Sequence, residues 1–88
     1  MSCTVRIPSP LRSYTGGAAA VPGAGVTVEE VLGGLERRFG GIRFRMLDEQ
    51  NRIRPHIRLY VNTSEVTALS QPVQPGDTVH IICALSGG

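Results

Sequence analysis

The chain has 88 residues, 41% of them hydrophobic and 18% charged, with a formal net charge of +2. One small domain is all that this length accommodates; it is too small to enclose a deep cleft of its own, and its apolar content excludes a disordered chain. The weak positive charge is scattered rather than gathered into a patch, which argues against a nucleic-acid surface.

Residues 3–7, Cys-Thr-Val-Arg-Ile, alternate apolar and polar side chains, which predicts a half-buried strand stopped by Pro8 and Pro10. Residues 9–25 are rich in Pro, Gly, Ser and Ala. Thr15-Gly16-Gly17 is a turn signal, and residues 18–21 are expected to form a short second strand, closing a hairpin with a long connection. Thr27 and Glu30 have the spacing of a capping box, which satisfies backbone N–H groups that a helix start would otherwise leave unpaired. Val28, Val31, Leu32, Leu35 and Phe39 follow at helical spacing as one apolar stripe, and Gly40-Gly41 is expected to end the helix. Gly33 and Gly34 lie off that stripe, each costing about 1 kcal/mol relative to Ala, with nothing in the sequence to explain them.

Residues 42–47 suggest a short helical turn and residues 48–52 a polar loop. Residues 57–62 alternate again and predict a strand. Residues 62–65 are expected to turn, with a short strand around Val66. Pro75-Gly76-Asp77 has the residues of a type II turn, and residues 78–85 predict the last strand. The expected class is α+β: a mixed sheet of about five strands with one main helix on one face. Val5, Ile7, Ile57, Leu59, Val61, Val79 and Ile81 supply the sheet's side of the core.

The sequence closes with Ser86-Gly87-Gly88, directly after an apolar run. At average glycine usage a random chain ends in two glycines on the order of once in two hundred. A bare carboxylate at Gly88 is therefore expected to be the reactive group. All nine basic residues are arginine. A chain without lysine offers no ε-amine to attack an activated carboxylate, and it cannot accept an isopeptide-linked copy of itself.

Cys3 and Cys83 are the two cysteines, and no Cys or His spacing suits a zinc or iron–sulfur site. Both read as small buried hydrophobes, with no disulfide expected and Cys83 assigned to packing. His56 and His80 read as surface residues. Ser9, Ser13 and Tyr14 are further candidates for partner contact that nothing singles out. No secretory signal and no membrane span are expected, so the chain reads as cytoplasmic.

The element order and the Gly-Gly ending resemble the β-grasp (ubiquitin-like) fold. Val5-Arg6-Ile7-Pro8, Leu11-Arg12, Thr15-Gly16-Gly17, Leu59-Tyr60-Val61-Asn62, Pro75-Gly76-Asp77 and the Gly-Gly end resemble the ThiS/MoaD type of sulfur carrier, most closely the CysO-like carriers of cysteine biosynthesis. The likeness runs end to end but is slight over residues 42–56. It implies one β-grasp domain over residues 1–88, with a flexible Gly-Gly tail at about residues 85–88.

It further implies a carrier that catalyses nothing and binds no cofactor. A MoeB-type adenylyltransferase–sulfurtransferase, resembling ubiquitin-activating enzymes, uses ATP to adenylate the Gly88 carboxylate, and sulfur then replaces the adenylate. The thiocarboxylate delivers its sulfur to a biosynthetic enzyme, such as a pyridoxal-phosphate-dependent cysteine synthase or a thiosugar- or thiazole-forming synthase. Thiamine thiazole and molybdopterin are the other endpoints in this family. The rival expectation is a ubiquitin-like modifier conjugated through the same glycine; a third is a plain interaction domain with an incidental ending.

Docking needs a surface. With Val79, Ile81 and Cys83 facing the core, period two turns His80, Ile82 and Ala84 outward, beside Arg58, Tyr60 and Asn62 of the neighbouring strand. Ile82 and Tyr60 then form an apolar patch, with Arg58 and Ala84 around it and Leu85 and Ser86 drawn into it. The chain is expected to be a monomer when free, with no nucleic-acid or membrane partner.

Overall fold

The alternating run at the start of the chain forms β1 (Ser2–Arg6), whose Cys3 and Val5 point into the core while Ser2, Thr4 and Arg6 face out. It is followed in the computed structural model, which describes residues 2–84, by a 3-10 helical segment (Ser9–Thr15) and β2 (Ala20–Ala24). Then come α1 (Val28–Arg38), α2 (Ile42–Met46), β3 (Ile57–Val61), β4 (Ser64–Glu65) and β5 (Thr78–Cys83). The sheet order is β2-β1-β5-β3-β4. β1 and β5 are parallel, and every other pair is antiparallel. This mixed sheet with α1 laid against it is the expected α+β, β-grasp arrangement.

The start of α1 shows how the sequence fixes the helix on the sheet. The Glu30 N–H donates to Thr27 Oγ1 (3.2 Å) and the Val31 N–H to the Thr27 carbonyl (3.1 Å). The Val28 and Glu29 N–H groups donate to the Gln71 and Leu69 carbonyls, so the segment before β5 completes the cap. The capping box differs from the expected one in one bond: the Glu30 carboxylate accepts from the Val26 N–H (2.9 Å), one residue before the cap. Val28, Val31, Leu32 and Leu35 are buried as the stripe requires, whereas Phe39 is half-buried. Burying each such side chain stabilises the fold by about 1.5–3 kcal/mol. The core side chains expected on the sheet are all buried, and Leu11, Ile42, Met46, Leu47, Val66 and Val73 join them.

Several boundaries differ from expectation. The Pro/Gly-rich stretch after β1 is helical over Ser9–Thr15, a turn that buries Leu11 and Thr15. β2 lies at 20–24 rather than 18–21 and runs through Pro22, which an edge strand tolerates. Gly23 explains that register. A Cβ there would stand 2.8 Å from Val5 Cγ2 and 3.2 Å from Val31 Cγ1, so the glycine lets the edge strand close on both sheet and helix.

The end of α1 is capped by Phe39, whose N–H reaches the Leu35 carbonyl (2.7 Å), and Gly41 instead starts α2 at φ 97°. The short strand expected around Val66 sits at Ser64–Glu65, with Val66 itself bonded to the Leu59 carbonyl and buried. Gly76 has φ 87° and the Asp77 N–H donates to the Gln74 carbonyl, as a type II turn requires. The expected last strand extended to Leu85; β5 ends at Cys83, and Leu85 lies outside the described residues.

Candidate functional site

The parallel pairing of β1 with β5 and the antiparallel pairing of β3 with β5 place three chain segments around the end of β5. Ile57 is opposite Cys83, Arg58 opposite Ile82, and Tyr60 opposite His80. On the other side Arg6 is opposite His80. The Ala84 N–H donates to the His56 carbonyl (2.8 Å), so the ladder holds the chain for one residue past β5. Gly87 and Gly88, with Leu85 and Ser86, fall outside the described residues.

The face of the sheet away from α1 carries the rest of the expected patch. Ile82 is 46% exposed, Ala84 and Arg58 are exposed, and Tyr60 is half-buried between His80 and Glu65. A row of Arg6, His80, Tyr60 and Glu65 crosses the sheet, and Arg58 Nε lies 3.7 Å from Glu65 Oε2. Of the large hydrophobics exposed among the described residues, Val26 and Phe44 are the others. Phe44 lies under the Arg54 guanidinium (4.5 Å to the ring centre), whereas Ile82 sits at the end of β5.

Asn62 does not join this face. It adopts φ 56°, and its side chain turns to the end of the sheet, accepting from the Thr78 N–H (3.0 Å) and donating to Asp77 Oδ1 (3.0 Å). That amide bond and the Gln74 N–H (2.8 Å) hold the Asp77 carboxyl below its ordinary value. A period-two reading missed this because the strand ends at Val61 and Asn62 already belongs to the turn.

A groove of about 520 Å³ runs along the other side of β5, lined by Arg6, Pro8, Arg12, His80, Ile82 and Cys83. The Arg12 Nε–H donates to the Ile7 carbonyl (3.0 Å), which fixes that guanidinium at the rim. These arginines were not among the sequence candidates. Their alternation marked Arg6 as outward-facing, but only the parallel β1–β5 pairing brings it beside His80. A cavity of about 590 Å³ opens beside α1 and α2, with Glu29, Glu36, Arg37 and Arg43 on its rim. None of the β5 residues lines it, so the groove at the strand end is the one relevant to a tail leaving β5.

Cys83 corrects its expected burial: it is half-buried, because it is the last residue of the strand and borders the groove. Cys3 is buried, and burial, with Asp77 nearby, pushes its thiol up. Both thiols are free. Among the described residues no group of His, Cys, Asp and Glu is placed to hold a metal ion, and no helix is long and apolar enough to cross a membrane.

Comparison with known proteins adds a family. A profile of the ThiS family matches residues 5–88. The sulfur carrier protein CysO of Mycobacterium tuberculosis is 36% identical over an alignment of 93 positions, which covers 100% of both chains. Among solved structures, a chain of the Amycolatopsis orientalis BexX/CysO complex is 38% identical, with a TM-score of 0.90 over 98% of this chain and 99% of that one. The crystal structure of Mycobacterium tuberculosis CysO is 33% identical, with a TM-score of 0.89 over 94% and 99%.

Proposed function

This chain belongs to the ThiS family, and we propose that it is a sulfur carrier whose Gly88 carboxylate is the loading point. One observation carries the reading: the family match extends to residue 88, so Gly87-Gly88 lie inside the matched stretch.

The chemistry asks little of the carrier beyond presentation. A carboxylate is a poor electrophile because oxide is a poor leaving group. A carboxylate oxygen attacks the α-phosphorus of ATP held by an adenylating partner, and pyrophosphate leaves. A sulfur nucleophile then attacks the acyl carbon, the bond to the adenylate oxygen breaks, and AMP leaves with the electron pair. With hydrosulfide as the nucleophile, its S–H proton passes to water and a thiocarboxylate remains; with a persulfide, a second thiol attacks the donor sulfur of the acyl disulfide, and the thiocarboxylate leaves as a new disulfide forms.

The adenylate must be kept from water, so the partner has to enclose the terminus. Two glycines suit a narrow passage, since the backbone can approach the partner closely. Ordering the tail costs roughly 1–2 kcal/mol per residue, which favours release after each transfer. Docking is assigned to Ile82, Tyr60, Arg58 and Ala84, continuing into Leu85 and Ser86. A MoeB-type adenylyltransferase–sulfurtransferase loads the chain, and a sulfur-accepting biosynthetic enzyme unloads it. The relation to CysO makes cysteine formation the first endpoint to test, and the BexX/CysO complex supports docking on a partner protein. The chain itself acts as co-substrate, not catalyst.

Intact-mass measurement of the chain purified from its native host tests this. The expected result is a sulfur-for-oxygen exchange located in the C-terminal peptide. Lysine-linked adducts on other proteins in its place would make the chain a ubiquitin-like modifier. An unmodified chain even with ATP, its adenylating enzyme and a sulfur source would reject both.

A further inference from the structure

The cationic residues around the end of β5 are all arginine, and this choice has a chemical consequence that rests on the carrier reading above. Arg58 is opposite Ile82, Arg6 is opposite His80, and Arg6 and Arg12 line the groove beside Cys83. Five residue steps lead from Cys83 to Gly88, a contour of up to roughly 17 Å. Positions 6 and 58 are paired directly with β5, about 5 Å away, and Arg12 lines the same groove as Cys83, so side chains at these three positions stand within reach of an acyl group at Gly88.

Lysine at any of these positions would place a primary amine near an acyl-adenylate. The amine nitrogen would attack the acyl carbon, and the bond to the adenylate oxygen would break. AMP would leave with the electron pair, the N–H proton would pass to water, and an internal amide would remain. Lysine deprotonates in part near neutral pH, and tethering gives such attack a high effective concentration. A guanidinium stays protonated and does not compete.

Topology sets the start of β1 apart from this rim. β1 runs parallel to β5 with Thr4 opposite Thr78, so Ser2 lies about seven strand residues, or roughly 23 Å, from Cys83. That is beyond the tail's contour. We propose that the arginine-only rim at the end of β5 protects the activated terminus from its own chain, keeping positive charge for docking while withholding every ε-amine.

The test uses the full chain carrying a mercaptoethanesulfonate thioester at Gly88, prepared by intein cleavage, as a stand-in for the acyl-adenylate. Unsubstituted protein, Arg58→Lys, Arg12→Lys and the remote Arg37→Lys are held at pH 8 and followed by intact mass and peptide mapping. Arg58→Lys and Arg12→Lys are expected to form an internal amide at least about tenfold faster than the other two, whose thioesters hydrolyse to the acid. The proposal is overturned if both rim variants only hydrolyse, at the unsubstituted rate. It is equally overturned if the unsubstituted chain cyclises as fast as they do. Because the thioester is made chemically, this outcome is independent of whether any partner adenylates Gly88 in the cell.

Discussion

Ile81 and Ile82 are neighbours on β5, yet one is 3% exposed and the other 46%. Ile81 points at α1, among side chains that the helix stripe and β1 close over. Ile82 points to the uncovered face, opposite Arg58 and beside the row of Arg6, His80 and Tyr60. The two faces of one strand thus do different work. The inner face contributes free energy of folding. The outer face leaves apolar area in water where the chain departs toward Gly88, and that cost is recovered only when something covers it.

Substitution should separate the two faces most sharply at this pair. Ile81→Ala is expected to lower unfolding free energy by about 2–5 kcal/mol in urea denaturation, through lost burial and the cavity left behind. Ile82→Ala should stay within about 0.5 kcal/mol of the parent. It should instead slow thiocarboxylate formation by the adenylating partner by about tenfold, the effect of losing one apolar anchor. Equal destabilisation by both would show that the outer face is structural after all.

The next effect tests how tightly the inner face is closed. Gly23 is pressed between Val5, Cys3 and Val31. Gly23→Ala should destabilise by about 1–3 kcal/mol, as overpacking does, with no change in loading once the protein is folded. An unchanged denaturation midpoint would mean that β2 moves aside freely.

The solvent side of α1 should respond in the opposite direction. A Cβ at Gly33 meets nothing within 4 Å, and at Gly34 the nearest atoms are the Ala24 carbonyl oxygen and Arg37 Nη2, each at 3.8 Å. Neither glycine is needed for packing, so Gly33→Ala is expected to stabilise by about 1 kcal/mol from helix propensity alone. A stabilised variant that loads normally would make Gly33 dispensable. A loss of loading despite greater stability would assign that bare patch of α1 to a partner.

Much of this comparison was legible in the sequence. Period two in 3–7 and 57–61 assigned inner and outer faces correctly, and the capping box with its stripe located α1. What escaped depends on contacts distant in sequence. Gly23 looks like one more glycine in a loop-like stretch until β1 and α1 press on it. Arg6 and Arg12 become neighbours of Ile82 only through parallel pairing across more than seventy residues, which local pattern does not encode. Asn62 continued the alternation on paper, but its left-handed backbone ends the strand and sends its amide to Asp77.

The smallest expected effect concerns acid, and it localises away from the outer face. Glu36 accepts from the Gly41 and Arg43 N–H groups, which hold its carboxyl below the ordinary value. The Arg52 N–H chiefly does the same for Asp48, and the Asn62 amide for Asp77. A carboxyl whose folded value is depressed binds fewer protons than in the unfolded chain, so stability rises with pH through that window. The contribution is complete above the unfolded value, near pH 4, and is lost as pH falls through the folded one. All three residues are half-buried at the surface and keep contact with water, so each loss should be slight and gradual. Urea midpoints are therefore expected to hold steady, as far as these groups decide it, above about pH 5 and to decline below pH 4. Asp77→Asn should make that decline shallower, because the amide that replaces the carboxyl does not titrate while the turn at 74–77 keeps most of its bonds. Since Asp77 lies at the end of the sheet opposite the close of β5, this variant should leave loading unchanged; a parallel loss of loading would mean that the turn and the exit of the chain are coupled through β5 itself.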